Sequence, residues 1–147
     1  MIAIGCDHGG FELKEAIVNY LKEKNLEFKD FGIYENVSVN YPEIGVKVAR
    51  SIASGECERG ILCCGTGIGI SLAANKVKGI RAAVLSDEFS CEFTRRHNDA
   101  NILALGGRVV SIEKGLKLVD IFLNTPFEGG RHQQRIDMIT AIENGEM

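Results

Sequence analysis

The chain has 147 residues, of which 45% are hydrophobic and 25% are charged, a balance typical of one soluble globular domain spanning residues 1–147. Its net charge of −3 gives no general attraction for nucleic acid, so a nucleic-acid partner is not expected. No apolar run approaches the ~18 residues of a membrane span, and the first residues lack a signal-peptide pattern, so neither a membrane partner nor export is expected.

Cysteine usage indicates the redox environment. The chain has five cysteines, an odd number, and no export signal, which together predict reduced thiols in the cytoplasm. No pair has C-x-x-C spacing, and Cys63 and Cys64 are adjacent, which is poor spacing for zinc. With only three histidines in the chain, the sequence predicts no metal site.

Short apolar runs alternate along the chain with segments of helical periodicity. This alternation predicts an α/β protein whose parallel sheet is covered by helices on both faces. The predicted strands are Ile2–Cys6, Phe28–Phe31, Gly60–Cys64, Arg81–Leu85 and Ile102–Leu105. The predicted helices run through Leu13 to Leu21, from near Pro42 to Gly55, from the GTGIG segment to about Lys76, from about Asp87 to His97, after Ser111, and from about Gln134.

Glycines and polar residues collect in the predicted turns. Ligands of an open α/β sheet bind beyond the carboxyl ends of its strands, so these turns are the candidate functional segments. The candidate segments are Asp7 to Gly10, Cys64 to Gly69, His97-Asn98, Gly106 to Arg108, and Gly129 to Arg135.

The CGTGIG segment that starts at Cys64 is the most informative turn. Its glycines let backbone N–H groups face a ligand, and the following helix begins there, so the segment predicts a cradle for phosphate or an oxyanion. The same environment favours the thiolate of Cys64. The alternative is that Cys64 is a small buried hydrophobic residue that ends a strand. Cys63 faces the opposite side of the strand and is expected in the core.

Two other interpretations of this loop depend on Ile70. A dinucleotide-binding G-x-G-x-x-G motif is incomplete because Ile70 occupies the third glycine position, although Asp87 lies about where a ribose-binding acid is expected. That interpretation stays open as an alternative. A tyrosine-phosphatase loop needs an arginine at the Ile70 position and is therefore not supported.

Arg131 and Arg135 are four residues apart, so on one helix they share a face and can bind a phosphate together. The alternative is an ordinary solvated basic face. Other polar residues of the turns also have structural alternatives to a functional role. His8 and His97 can be surface or capping residues, Asp7 can be a helix N-cap, and Tyr41 can pack the loop before its helix.

Five segments together resemble type B ribose-5-phosphate isomerase, whose wider family includes galactose-6-phosphate isomerase subunits. The resemblance implies a Rossmann-like three-layer α/β/α sandwich with a five-stranded parallel sheet, a homodimer or homotetramer, and no metal or organic cofactor. It also implies that the substrate is a phosphosugar, with ribose 5-phosphate and ribulose 5-phosphate interconverted through an enediolate, and with allose 6-phosphate as a second candidate substrate. The segments are GCDHGGFELK, Tyr41-Pro42, CGTGIGISLAANK, RRHNDANILALGGR and EGGRHQQR.

The resemblance also implies residue roles. Cys64 matches the catalytic base, and Thr66 and His97 match residues that open the furanose ring. Ile70 marks the cysteine variety, because other members carry a glutamate there. His97, Asn98 and Arg108 are expected to come from a neighbouring subunit. The implied substrate contacts are Asp7 and Tyr41 near the ring oxygens, His8, Arg108, Arg131 and Arg135 at the phosphate, and Asn98 with the backbone of Gly65, Gly67, Ile68 and Gly69 at the enediolate.

Three other functions stay open at this point: a galactose-6-phosphate isomerase subunit, a non-catalytic sugar-phosphate-binding module, and a nucleotide-dependent oxidoreductase. A binding module would keep the arginines and the cradle but would need no positioned base.

Overall fold

Five strands form one sheet in the computed structural model, which describes residues 1–147, and every neighbouring pair of strands is parallel. The strand order is β2-β1-β3-β5-β4. This sheet confirms the predicted α/β fold. The strands are β1 (Ile2–Cys6), β2 (Phe28–Asp30), β3 (Arg59–Cys64), β4 (Ala82–Val84) and β5 (Ile102–Gly106).

Six α-helices cover the sheet. Helix α2 packs against α3, whereas α5 packs against both α1 and α4. Because parallel crossovers are right-handed, α2 and α3 lie on one face and α1, α4 and α5 on the other, which gives the three predicted layers. The last helix, α6, packs mainly on α4. None of these helices combines the length and apolar character needed to cross a bilayer. They are α1 (Phe11–Glu23), α2 (Tyr41–Ala53), α3 (Ile68–Ala74), α4 (Glu88–Asn98), α5 (Ile112–Asn124) and α6 (Arg131–Glu143).

Helix starts follow the predicted signals, with one correction. The side chain of Ser111 accepts a hydrogen bond from the Lys114 N–H at 3.1 Å and so caps α5 as predicted. Helix α6 was predicted from about Gln134 but begins at Arg131. Gly129 and Gly130 adopt positive φ angles of 70° and 58°, which ends the preceding loop and lets the helix start directly afterwards.

The core is built on the two central strands, β3 and β5. All of β5 and nearly all of β3 are buried, as expected for parallel strands covered on both faces. Cys63 is fully buried among them, and desolvation raises the pKa of its thiol well above the usual value. Cys63 is therefore a core residue, as the alternation of the strand predicts.

Candidate active site

Three turns meet at the carboxyl edge of the sheet. The ends of β1, β3 and β5 are in register, with Cys6 opposite Cys63 and Cys64 opposite Gly106. The chain leaves β1 toward β2 on one side and leaves β3 toward β4 on the other. The crevice between β1 and β3 is therefore the switch point at which open α/β sheets bind ligands.

Glycines allow these turns to contact each other through their backbones. A β-carbon on Gly9 would lie 2.7 Å from the Gly65 nitrogen, and one on Gly107 would lie 2.6 Å from the Gly9 carbonyl oxygen. Any larger residue at these two positions would push the turns apart. The close approach brings the segments after β1, β3 and β5 into one site.

Cys64 lies at the centre of this edge. Its sulfur accepts a hydrogen bond from the Gly67 N–H at 3.0 Å, and the residue is 4% exposed. Gly67 has a φ of 79°, and a β-carbon there would lie 2.8 Å from the Leu105 carbonyl carbon, so the loop requires glycine. The Thr66 hydroxyl accepts from the Ile68 N–H at 3.2 Å. The loop thus directs N–H groups toward the sulfur and the hydroxyl.

Asp7 organises the turn after β1. Its Oδ1 accepts hydrogen bonds from the Gly9 N–H at 2.9 Å and from the Gly10 N–H at 3.2 Å. The capping role that the sequence left open is therefore present in the structure. Because the capped turn carries His8, the Asp7 carboxylate also fixes the backbone on which His8 lies.

His8 and Arg108 line a small polar cavity of about 240 Å³ beside the crevice. Arg108 lies against Gly65, since its Nη1 would be 3.1 Å from a β-carbon at that position. The Val39 N–H points to His8 Nδ1 at 3.4 Å and ties the imidazole to the loop before α2. Asn36, from the same loop, also lines the cavity. Sequence reasoning missed Asn36, and the only signal was the long irregular stretch after β2.

Tyr41 borders the glycine-rich loop from the other side. A β-carbon on Gly69 would lie 2.6 Å from Tyr41 Cζ, so the tyrosine ring rests on the first turn of α3. The residue remains 40% exposed. The residues described so far around Cys64 form one group, which we call the cysteine cluster. It consists of Asp7, His8, Tyr41, Cys64, Thr66 and Arg108 with the backbone of Gly65, Gly67, Ile68 and Gly69.

A second group of residues, four of them predicted, meets where α6 packs on α4. The rings of His97 and His132 stack with centroids 4.1 Å apart and planes 11° apart. Glu128 Oε1 lies 3.8 Å from His97 Nε2 and 3.4 Å from His132 Nε2. We call this set the histidine cluster, and it consists of His97, Asn98, Glu128, Arg131, His132 and Arg135.

Burial and neighbouring charges shift the pKa values of two groups in the histidine cluster. Desolvation, followed by the charge of His97, lowers the pKa of His132. Arg96 donates to Glu128 Oε2 and holds the pKa of that carboxyl below its usual value. Sequence reasoning assigned no role to Glu128 or His132, although both lie in the EGGRHQQR segment.

The two clusters lie at opposite ends of the strands: the cysteine cluster at their carboxyl ends and the histidine cluster near their amino ends. Helix α4 starts near the carboxyl edge and rises about 16 Å over its 11 residues, in the direction opposite to the strands. At its end, the Asn98 carbonyl accepts from Nε of Arg81, which directly precedes β4, at 3.0 Å. One chain therefore does not bring His97 or Asn98 to Cys64.

Arg108 requires a correction. It was expected to cross to a neighbouring subunit together with His97 and Asn98. The Arg108 N–H donates to the Gly65 carbonyl at 3.0 Å, so Arg108 belongs to the cysteine cluster of its own chain. Arg131 and Arg135 instead lie on α6 in the remote histidine cluster, on one helix as their spacing predicts.

A buried cysteine beside a glycine-rich loop, at the switch point of a five-stranded parallel sheet, defines an α/β protein with a candidate ligand site at the carboxyl edge of its sheet. Residues 2–139 match the family model described as Ribose/Galactose Isomerase, and the chain belongs to this family. The predicted resemblance is thereby confirmed.

Similar proteins agree with this assignment. Ribose-5-phosphate isomerase B of Escherichia coli (strain K12) is 51% identical over 142 residues, which cover 97% of this chain and 95% of that protein. The solved structure of Clostridium thermocellum ribose-5-phosphate isomerase B is 53% identical, with a TM-score of 0.97 and 99% of each chain covered. A Mycoplasma genitalium ribose-5-phosphate isomerase B, solved with bound ribulose-5-phosphate, is 41% identical with a TM-score of 0.93, covering 97% of this chain and 95% of that one.

Proposed function

We propose that this protein is an aldose–ketose isomerase that interconverts ribose 5-phosphate and ribulose 5-phosphate without a metal or organic cofactor. The observation that carries the proposal is the Cys64 sulfur, held by the Gly67 N–H in a glycine-rich loop at the switch point of the sheet. The ribulose-5-phosphate bound to the similar Mycoplasma genitalium protein supports the substrate.

Ring opening comes first, because the aldose phosphate is mainly cyclic. His97 and Thr66 are the residues proposed to open the ring. The imidazole of His97 transfers a proton to or from the ring, and the hydroxyl of Thr66 assists this transfer. Histidine suits this step because it exchanges protons near neutral pH. Asp7 and Tyr41 are the proposed contacts to the ring oxygens.

Proton transfer between carbons follows. The thiolate of Cys64 removes the carbon-2 proton of the open aldehyde, and the electron pair moves onto the carbonyl oxygen to give an enediolate. The thiol then returns the proton to carbon 1 while the proton of the carbon-2 hydroxyl passes to the carbon-1 oxygen, which gives the ketose. Backbone N–H groups of the glycine-rich loop and the amide of Asn98 stabilise the developing negative charge. The Gly67 N–H stabilises the negative charge on the sulfur before the first transfer and after the second.

Phosphate binding orients the sugar for these steps. The polar cavity that His8 and Arg108 line supports this role for both residues. Arg131 and Arg135 share a face of α6 and are exposed, so they are free to reach the substrate of another chain.

A homodimer is the smallest unit that completes this proposed site. The separation of His97 from Cys64 supports a second copy that supplies its histidine cluster to the cysteine cluster of the first. Exposed apolar side chains on two helices support the same arrangement, because a second copy would cover them. They are Ile68 (52% exposed) and Leu72 (61%) on α3, and Ile139 (50%) and Ile142 (60%) on α6.

Location and assembly complete the proposal. We infer a cytoplasmic enzyme, supported by five cysteines that are all unpaired. The dimer either stands alone or pairs into a homotetramer, and sedimentation distinguishes the two.

The test is an assay of the purified protein, dialysed against EDTA and given no nucleotide, with ribose, allose and galactose phosphates as substrates. Ketose should form from ribose 5-phosphate at the highest kcat/KM. A preference for galactose 6-phosphate would favour the related subunit activity. Binding of ribose 5-phosphate without turnover would identify a non-catalytic module, and a requirement for a metal or nucleotide would contradict the proposal.

A further inference from the structure

Three potential metal ligands meet in the histidine cluster. One nitrogen of His97, one nitrogen of His132 and one oxygen of Glu128 all lie within 4.8 Å of one another. The chain has three histidines, and two of them are found here. Two histidines and one carboxylate are a common set of protein ligands for Zn²⁺, with the remaining position open to water.

The buried nitrogen of His132 has no hydrogen-bond partner, which is a second observation that points to a missing ligand. Its Nε2 makes no hydrogen bond, although the side chain is only 7% exposed. A buried polar atom without a partner costs free energy, and a bound cation would satisfy it.

The spacing of the ligand atoms suits a tetrahedral ion. Two ligands about 2.1 Å from a tetrahedral zinc lie about 3.4 Å apart. Glu128 Oε1 lies 3.4 Å from His132 Nε2 and 3.8 Å from His97 Nε2. The stacked rings direct their lone pairs side by side, so one ring must turn for both to meet a single ion. His97 can do so because its side chain is 37% exposed.

The surrounding charges select the kind of cation. Arg96 occupies Glu128 Oε2 and leaves Oε1 for a metal. Arg131 and Arg135 are close enough to His132 to disfavour additional positive charge. A cation held mainly by charge, such as Mg²⁺ or Ca²⁺, is therefore disfavoured, whereas imidazole nitrogens bind Zn²⁺ well.

We propose that His97, Glu128 and His132 form a zinc-binding site whose occupation inhibits the enzyme. The inhibition rests on the proposed function, in which His97 transfers a proton during ring opening. A zinc ion on His97 Nε2 takes the lone pair that this transfer uses. The ion is thus an inhibitor that acts on the catalytic imidazole and takes no part in the reaction.

Binding of Zn²⁺ alone tests the site directly. The reduced, full-length protein competes for zinc with a chromophoric chelator. We expect one zinc per chain, with affinity lowered about tenfold or more in both His132→Gln and Glu128→Gln. His8→Gln and Cys64→Ser are the controls and should bind as the parent does. The exposed Glu128 provides a second variant in case substitution of the buried His132 impairs folding, which a thermal melt reveals.

Two results would overturn the zinc site. One is equal zinc affinity in the parent and in folded Glu128→Gln. The other is loss of binding in Cys64→Ser, which would place the ion on the thiolate. Co²⁺ gives a separate readout, because ligation by nitrogen and oxygen lacks the sulfur-to-metal charge-transfer band that a Cys64 complex would show.

Activity measurements separate this inference from the proposed function. Zinc should inhibit ribose 5-phosphate turnover reversibly, EDTA should restore it, and the half-inhibiting concentration should rise about tenfold or more in Glu128→Gln. An active isomerase that zinc does not inhibit would overturn the inference alone. Zinc bound at the histidine cluster of a chain without isomerase activity would instead overturn the proposed function and leave the zinc site standing.

Discussion

Replacing each of the two adjacent cysteines separates chemistry from packing. The Cys64 sulfur faces the glycine-rich loop and accepts the Gly67 N–H at 3.0 Å, whereas Cys63 is fully buried in the core. We therefore expect Cys64→Ala to lose catalysis and Cys63→Ala to lose stability. The two variants remove the same atoms one residue apart, so each is the matched control of the other.

The expected magnitudes differ in kind. A positioned general base contributes about 10²–10⁴ in rate, or about 3–5 kcal/mol of barrier, so Cys64→Ala should lower kcat by that factor with little change in KM. Cys63→Ala removes one buried sulfur and leaves a small cavity, which costs about 1–2 kcal/mol. For a chain of this length, that cost lowers Tm by about 2–8 °C.

The assay is steady-state turnover of ribose 5-phosphate by both variants, together with thermal melting. Normal kcat in Cys64→Ala with an inactive, folded Cys63→Ala would refute the assignment of the base. A second measurement follows deuterium at carbon 2, which should exchange partly with solvent if an enediolate forms. Complete transfer of the label to carbon 1 would favour a hydride shift, once rapid internal return of the proton is excluded.

Three further predictions test other parts of the site. Arg131→Ala and Arg135→Ala should each raise KM about tenfold or more with a smaller effect on kcat, because a phosphate contact is mainly uniform binding; an unchanged KM in both would indicate a solvated basic face. Mixed dimers of Cys64→Ala and His97→Ala chains should regain activity in one of two sites, and no recovery despite proven subunit exchange would place both residues in one chain's site. Iodoacetamide at pH 8 should label Cys64 before Cys6 or Cys91, because burial raises their pKa values to about 11 and about 12; peptide mass spectrometry that finds Cys6 labelled first would contradict this order.

The sheet was predictable because its central strands are buried on both faces and therefore read as continuous apolar runs. The edge strands were less so. Phe28–Phe31 and Arg81–Leu85 were expected, but β2 and β4 each have three residues. Each edge strand pairs with a single neighbour through three residue pairs, so less of its sequence is constrained by pairing. The order of the strands depends on the tertiary fold and could not be derived from any single segment.

The cysteine cluster was predictable from turns that directly follow strands, because parallel strands end at one edge. The position of His97 follows from a different rule, since a helix that returns from a strand ends at the opposite edge. His97 was predicted at the end of such a helix, so its distance from Cys64 was implicit in the sequence. The contact between Glu128 and His132 could not be predicted from the sequence, because it depends on how α6 packs on α4.

Exposure explains why the histidine cluster serves two purposes in these proposals. A proton-transferring group that acts on the substrate of another chain must protrude from its own chain, and His97 keeps 37% of its side chain exposed. His132 is buried beneath it and holds it by stacking, with centroids 4.1 Å apart. An accessible imidazole that can turn and a second imidazole fixed beside it also provide two ligands for a metal ion. Replacing His132 with a residue that stacks but cannot ligate, such as phenylalanine, should therefore preserve the position of His97 while removing sensitivity to zinc. If His132→Phe retained full zinc inhibition, the ion would have to act elsewhere in the molecule.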